Sequence, residues 1–152
     1  MINRELHERL ILLTLSGLAI VFTWLVKDNS FFWDTVQLAS KQAHFFYENG
    51  FSNLILPVEI DSGHPPSFGF YIASMWTVFG KTLPVSHFAM LPFVIGILWL
   101  LFFIGKHYLG VFGVWFPFLC FVDPTLSAQS ILVSPDIVLI FFFLLSLSLI
   151  HI

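Results

Sequence analysis

The chain has 152 residues, 58% hydrophobic and only 10% charged, with a formal net charge of −3. An ordinary soluble domain carries roughly 25% charged residues, so this composition excludes one and implies an all-α polytopic membrane protein. Six Lys and Arg in all leave no basic patch for nucleic acid.

A membrane span needs about 20 apolar residues, with roughly 17 as the lower limit. The first candidate is 10–26, preceded by Arg4 and Arg9. No small-residue cleavage pattern precedes Lys27, so it reads as a retained signal-anchor helix. The positive-inside rule then puts the N-terminus in the cytoplasm. An outer loop over 27–85 follows, mixed in composition and too apolar for a flexible linker. Within it Phe32, Val36, Ala39, Ala43 and Phe46 fall at spacings of 4, 3, 4 and 3. That is one face of an amphipathic helix over about 31–48, lying in the interface. The apolar stretch 67–80 is short, preceded by Pro65-Pro66 and followed by Lys81. It predicts a re-entrant or interfacial helix. Further spans are expected at 86–105, 108–122 and 137–152. Cys120, the single cysteine, lies in the third, so no intrachain disulfide is possible and its thiol reads as buried and inert. The last run is still apolar at Ile152, which reads as the front part of a longer protein.

A carboxylate at a bilayer centre costs about 2.5–3.5 kcal/mol on insertion scales, so acids bordering apolar stretches need an explanation. Asp34 reads either as an acid in a first helical turn, favourable to the helix dipole, or as a catalytic or substrate-orienting carboxylate. Ser134-Pro135-Asp136 is a complete helix-start signal, and Asp136 shares the same ambiguity. If 67–80 does not cross, both acids share the outer face. Asp61-Ser62-Gly63-His64-Pro65-Pro66 reads as a rigid turn before a helix. Alternatively, Asp61 and His64, with Glu59 nearby, converge on a phosphate or a divalent metal ion. His44, Lys41 and Glu48 read as a solvated helix face, and His87 as an interfacial residue.

The order of these features resembles the N-terminal part of a GT-C glycosyltransferase. The segments that carry the resemblance are FFWDTVQLASKQAHFFYENG, then DSGHPPSFGFYIASMWTVFGKTLPVSHFAMLPFVIGILWLLFFIGKHYLG, then FVDPTLSAQSILVSPDIVLIFFFLL. Within that superfamily the chain is most similar to the protein O-mannosyltransferase and aminoarabinose-transferase group. The resemblance implies a GT-C-like transmembrane bundle with interfacial helices in its first outer loop. It implies an inverting transfer of a sugar from a polyprenyl-phosphate donor to a protein, lipid or glycan acceptor. The active side faces outward from a plasma (inner) membrane. Asp34 corresponds to the acid of the first outer loop and Asp136 to the later Pro-Asp motif, both catalytic. His64-Pro65-Pro66 corresponds to a basic-Pro-Pro motif, with Asp61 beside it, on the substrate side. Three departures accompany the match. Thr35 stands where many members carry a second acid, His64 where lysine is common, and SAQSILVS lacks the arginine that usually precedes the Pro-Asp motif.

Two other classes fit the same composition. One is a small non-catalytic multi-span subunit. The other is a transporter fragment in which His64 and the acids form a relay.

Overall fold

The computed structural model describes residues 4–151. Residues 1–3 and 152 lie outside the described residues, as do the side chains of Arg4 and His151. The sidedness expected from the Arg4 charge, and the end of the last expected span at Ile152, therefore lie outside it too. Among the described residues every regular element is helical.

Helix α1 is Arg4–Val26. A helical stretch follows as α2 Trp33–Thr35, a π turn Val36–Ser40 and α3 Lys41–Glu48. Helix α4 is Ser67–Phe79 and α5 is Leu83–Leu109. A 3-10 turn Gly110–Trp115 leads to α6 Phe116–Val122, α7 Pro124–Ser130 and α8 Pro135–His151. Two stretches are long and apolar enough to cross a membrane, Glu5–Val26 and the helical run Leu83–Val122. A third exists if Pro124–Ser130 and Pro135–Ile150, bent by 112°, count as one span.

Helix α5 is the hub. It is capped by Thr82, whose side chain accepts from the Val85 amide, with Pro84 in its first turn. Lys106 and His107 in its last turn suit the negative end of the helix dipole. Helix α1 runs antiparallel beside it, held at successive levels. Lys106 Nζ pairs with Glu8 Oε2 at 2.6 Å, Trp99 Nε1 donates to Ser16 Oγ at 3.0 Å, and the Trp24 and Phe88 rings meet edge-on. Helix α8 packs on α5 with the Phe141 ring over Gly96, where a Cβ would collide with it, and against Phe93. The outer surfaces of these helices are bare hydrocarbon: Leu13, Leu25, Leu139 and Phe143 are all exposed. Water does not favour such a surface; lipid does.

The segment expected as a straight span over 108–122 is built differently. Gly110 adopts φ +58° and ψ −128°, a conformation open mainly to glycine. The chain there folds back so tightly that the Gly113 backbone lies against Gly105. Helix α6 then returns along α5, with Phe118 and Phe121 facing Val94 and Leu98 across an apolar cavity. A 3-10 turn and a seven-residue helix replace one long helix. The stretch 123–136, expected as a loop, contains α7, whose N-cap Asp123 accepts from the Thr125 and Leu126 amides at 3.0 and 2.9 Å.

The reversal predicts a contrast between two glycines. A methyl group at Gly113 meets backbone, which cannot move aside, whereas one at Gly17 meets nothing within 4 Å. Gly113→Ala should cost about 1–3 kcal/mol. Gly17→Ala should be neutral, or stabilising by up to about 1 kcal/mol. Thermal unfolding of both variants in lipid nanodiscs checks the difference.

Candidate functional site

The helical stretch after α1 carries Asp34, and its inward face differs from the one periodicity predicts. Ala39, Ala43 and Phe46 are buried as expected, but Thr35 is buried and Phe32 is 55% exposed. The π turn over Val36–Ser40 explains this. It takes more than 3.6 residues per turn, so stepping back from Ala39 reaches Thr35 and not Val36. Asp34, one residue earlier, faces outward and is exposed. Its carboxylate makes no hydrogen bond or ion pair among the described residues.

Asp136 sits in the first turn of α8, also exposed. Its amide donates to Ser134 Oγ at 3.2 Å, as an N-capping serine should arrange, while Ser134 and Ile137 beside it are buried. The carboxylate itself has no protein partner among the described residues.

The two acids lie at one end of the bundle. Residues 29–32 and Thr35 on one side, and 131–133 on the other, wall a cavity of about 210 Å³. His87, near the start of α5, forms part of it. The imidazole is 5% exposed, its Nε2 donates to the Asn29 carbonyl at 3.1 Å, and its ring lies near that of Phe31. His87 is thus a buried tether between the end of α1 and the start of α5, across 58 residues of sequence. The spacing of neither segment foretells that link. The visible signal was a lone histidine one turn inside a Thr-capped helix start.

The motif before α4 is elsewhere. Asp61 Oδ1 accepts from the Gly63 amide at 2.8 Å, and Gly63 has φ +73°. His64 Nδ1 donates to the Ser62 carbonyl at 3.0 Å, and Pro65 and Pro66 are exposed. Ser62 Oγ accepts from Nε2 of the buried Gln42 at 3.0 Å, tying this turn to α3. Gln42 Cβ also lies 2.5 Å from where a Cβ on Gly69 would stand, so α3 and α4 touch almost backbone to backbone. Glu59 opens into a separate hollow beside Lys41 and His44. Among the described residues no three of His, Cys, Asp and Glu come together to hold a metal ion. Asp61, His64 and Glu59 are thus not gathered into such a group. None of residues 59–66 lines the cavity between the two acids.

No family model, no curated protein and no solved structure matches this chain.

The two acids and the histidine should separate in a stability measurement. Exposed, unpartnered carboxylates contribute little to folding, so Asp34→Asn and Asp136→Asn should shift stability by no more than about 0.5 kcal/mol. His87→Leu removes the part-buried hydrogen bond to the Asn29 carbonyl and should cost about 0.5–1.5 kcal/mol. Parallel thermal melts of the three variants make the comparison.

Proposed function

We propose that this chain forms the N-terminal part of a multi-pass membrane glycosyltransferase of the GT-C kind. In this reading it works at the outer face of the membrane with a polyprenyl-phosphate-linked sugar as donor. One observation carries the reading: Asp34 and Asp136 stand at the same end of the bundle, exposed and unpartnered, flanking a single cavity. A carboxylate that folding does not use remains available to chemistry. The donor head group lies at the lipid–water boundary, and both acids begin helices next to long apolar stretches. The acceptor hydroxyl attacks the anomeric carbon of the donor, and the carrier phosphate leaves. Asp34 takes up the hydroxyl proton as general base, and Asp136 orients the second partner. The rest of the reading rests on the order of the sequence motifs that resemble the GT-C pattern.

His64-Pro65-Pro66 has a lesser part in this account, because its turn lies against α3 and α4. No step is routed through a metal ion.

The test uses native membranes with Asp34→Asn introduced at the gene. Transfer from radiolabelled polyprenyl-phosphate mannose, glucose or aminoarabinose should fall about 10²–10⁴-fold, the usual contribution of a general base. Unchanged transfer, or none from wild-type membranes with any of the three donors, overturns the proposal. Single cysteines at positions 34 and 136 should both react with an impermeant thiol reagent added outside. A transporter relay places them near the midplane and predicts that neither reacts.

A further inference from the structure

The geometry points to the cavity beside the two acids as a binding site for a compact, uncharged, hydroxyl-bearing ligand, a single sugar ring, held by Thr35 and His87 against Phe31 and Phe32. This deepens the proposed function by naming what the acceptor presents there, and it rests on that reading only for its biological setting.

The first support is an unused hydroxyl. Thr35 is 2% exposed, yet its hydroxyl makes no hydrogen bond among the described residues. A hydroxyl that no protein group uses is available to a ligand. The side-chain atoms that are sealed off and unpartnered are Gln42 Oε1 and Gln129 Oε1. The Thr35 oxygen is not one of them, and Thr35 lines the cavity.

The second support is the character of the walls. No Asp, Glu, Lys or Arg contributes to them. A phosphate or carboxylate would enter without a counter-charge, and burying an unpaired ion is costly. Hydrogen-bonding residues are present instead: Asn29, Ser30, Thr35 and His87. Phe31 and Phe32 supply aromatic surface, with Val133 and its neighbours opposite. Flat aromatic surface suits the C–H face of a pyranose, and neutral hydrogen-bonding groups suit its hydroxyls. Mostly apolar walls with a few fixed polar groups are the usual make-up of a small-molecule site.

The third is size and place. A cavity of about 210 Å³ holds about seven waters at ~30 Å³ each, room for one ring and not for an oligosaccharide. Asp34 precedes Thr35 directly, and Asp136 follows Val133 by three positions. A ring seated there is walled by the residue next to Asp34 and by a residue three positions before Asp136.

The experiment is saturation-transfer NMR on the full protein in lipid nanodiscs, with methyl α-D-mannopyranoside and methyl β-D-glucopyranoside as probes. Saturation should reach the ring protons of at least one glycoside. Thr35→Val, which keeps the shape and removes the hydroxyl, should weaken binding about tenfold, and Thr35→Ser should restore it. Val133→Trp, which fills the cavity, should abolish it. Inorganic phosphate in excess should not displace the glycoside. No transfer to either glycoside, equal transfer in Thr35→Val and Val133→Trp, or displacement by phosphate each overturns the inference. Circular dichroism and a single species on gel filtration show that each variant has folded. If the glycosides fail to bind while Asp34→Asn still abolishes sugar transfer, this inference falls and the proposed function stands. If they bind while Asp34→Asn leaves transfer intact, the reverse holds.

Discussion

The contact between the Gly113 and Gly105 backbones is the constraint on which the arrangement depends. Without a side chain on either residue the chain can turn through Gly110 and press against the helix it has just left. That turn sends α6 back along α5 to the end from which α5 began. Residues 131–133 then reach His87 and the stretch 29–35. A longer or looser connection would leave residues 131–133 away from the stretch 29–35. Those three glycines, each more than 20 residues from either acid, bring the segment before Asp136 to the segment that carries Asp34.

Small residues play the same part elsewhere around α5. Gly96 receives the Phe141 ring, and Gly69 lets α3 and α4 come together beside Ala43 and Ala73. Between apolar helices in lipid there is little hydrophobic gain from association, so close packing and hydrogen bonds must supply it. Polar groups accordingly sit where they can pair. Trp76 Nε1 donates to Ser86 Oγ at 2.8 Å within the interior, and Ser86 in turn donates to the Thr82 carbonyl. Tyr71 donates its hydroxyl to the Ala89 carbonyl at 2.6 Å. These bonds fasten α4 along the first third of α5, and burial raises the Tyr71 pKa accordingly. Fixing α4 there also fixes the turn before it, which is why His64 and Asp61 belong to the α3–α4 pair and not to the cavity.

Local signals in the sequence marked the helix starts well. Ser134-Pro135-Asp136 begins α8, Pro65-Pro66 ends just before α4, and the apolar runs at 10–26 and 86–105 lie inside α1 and α5. Two things were not legible, for different reasons. Chain reversal at Gly110 depends on a backbone conformation that an isolated glycine in an apolar run does not announce, so 108–122 looked like another straight helix. The inward turn of Thr35 depends on a π turn, which period-3.6 counting cannot see. The cavity is hidden on both counts, because its walls come from segments about 100 residues apart and its floor from a histidine between them.

Position 35 shows how a backbone detail reaches the chemistry. In the GT-C reading proposed above, a second acid would often stand there. In this chain the π turn directs that position inward, to a place 2% exposed and lined without any Lys or Arg. A carboxylate so placed would either be protonated or would need a cationic partner, since desolvation disfavours its charged form. His87, the histidine in the same cavity, already donates to the Asn29 carbonyl to hold the end of α1. Threonine avoids the conflict while keeping a hydroxyl at the same point. Asp34 is thereby left as the single acid of its turn, exposed to water and free of partners, while the pocket behind it stays neutral. A pocket without an Asp, Glu, Lys or Arg in its walls, beside an exposed carboxyl group, favours a ligand that brings a hydroxyl to be activated over one that brings a charge of its own.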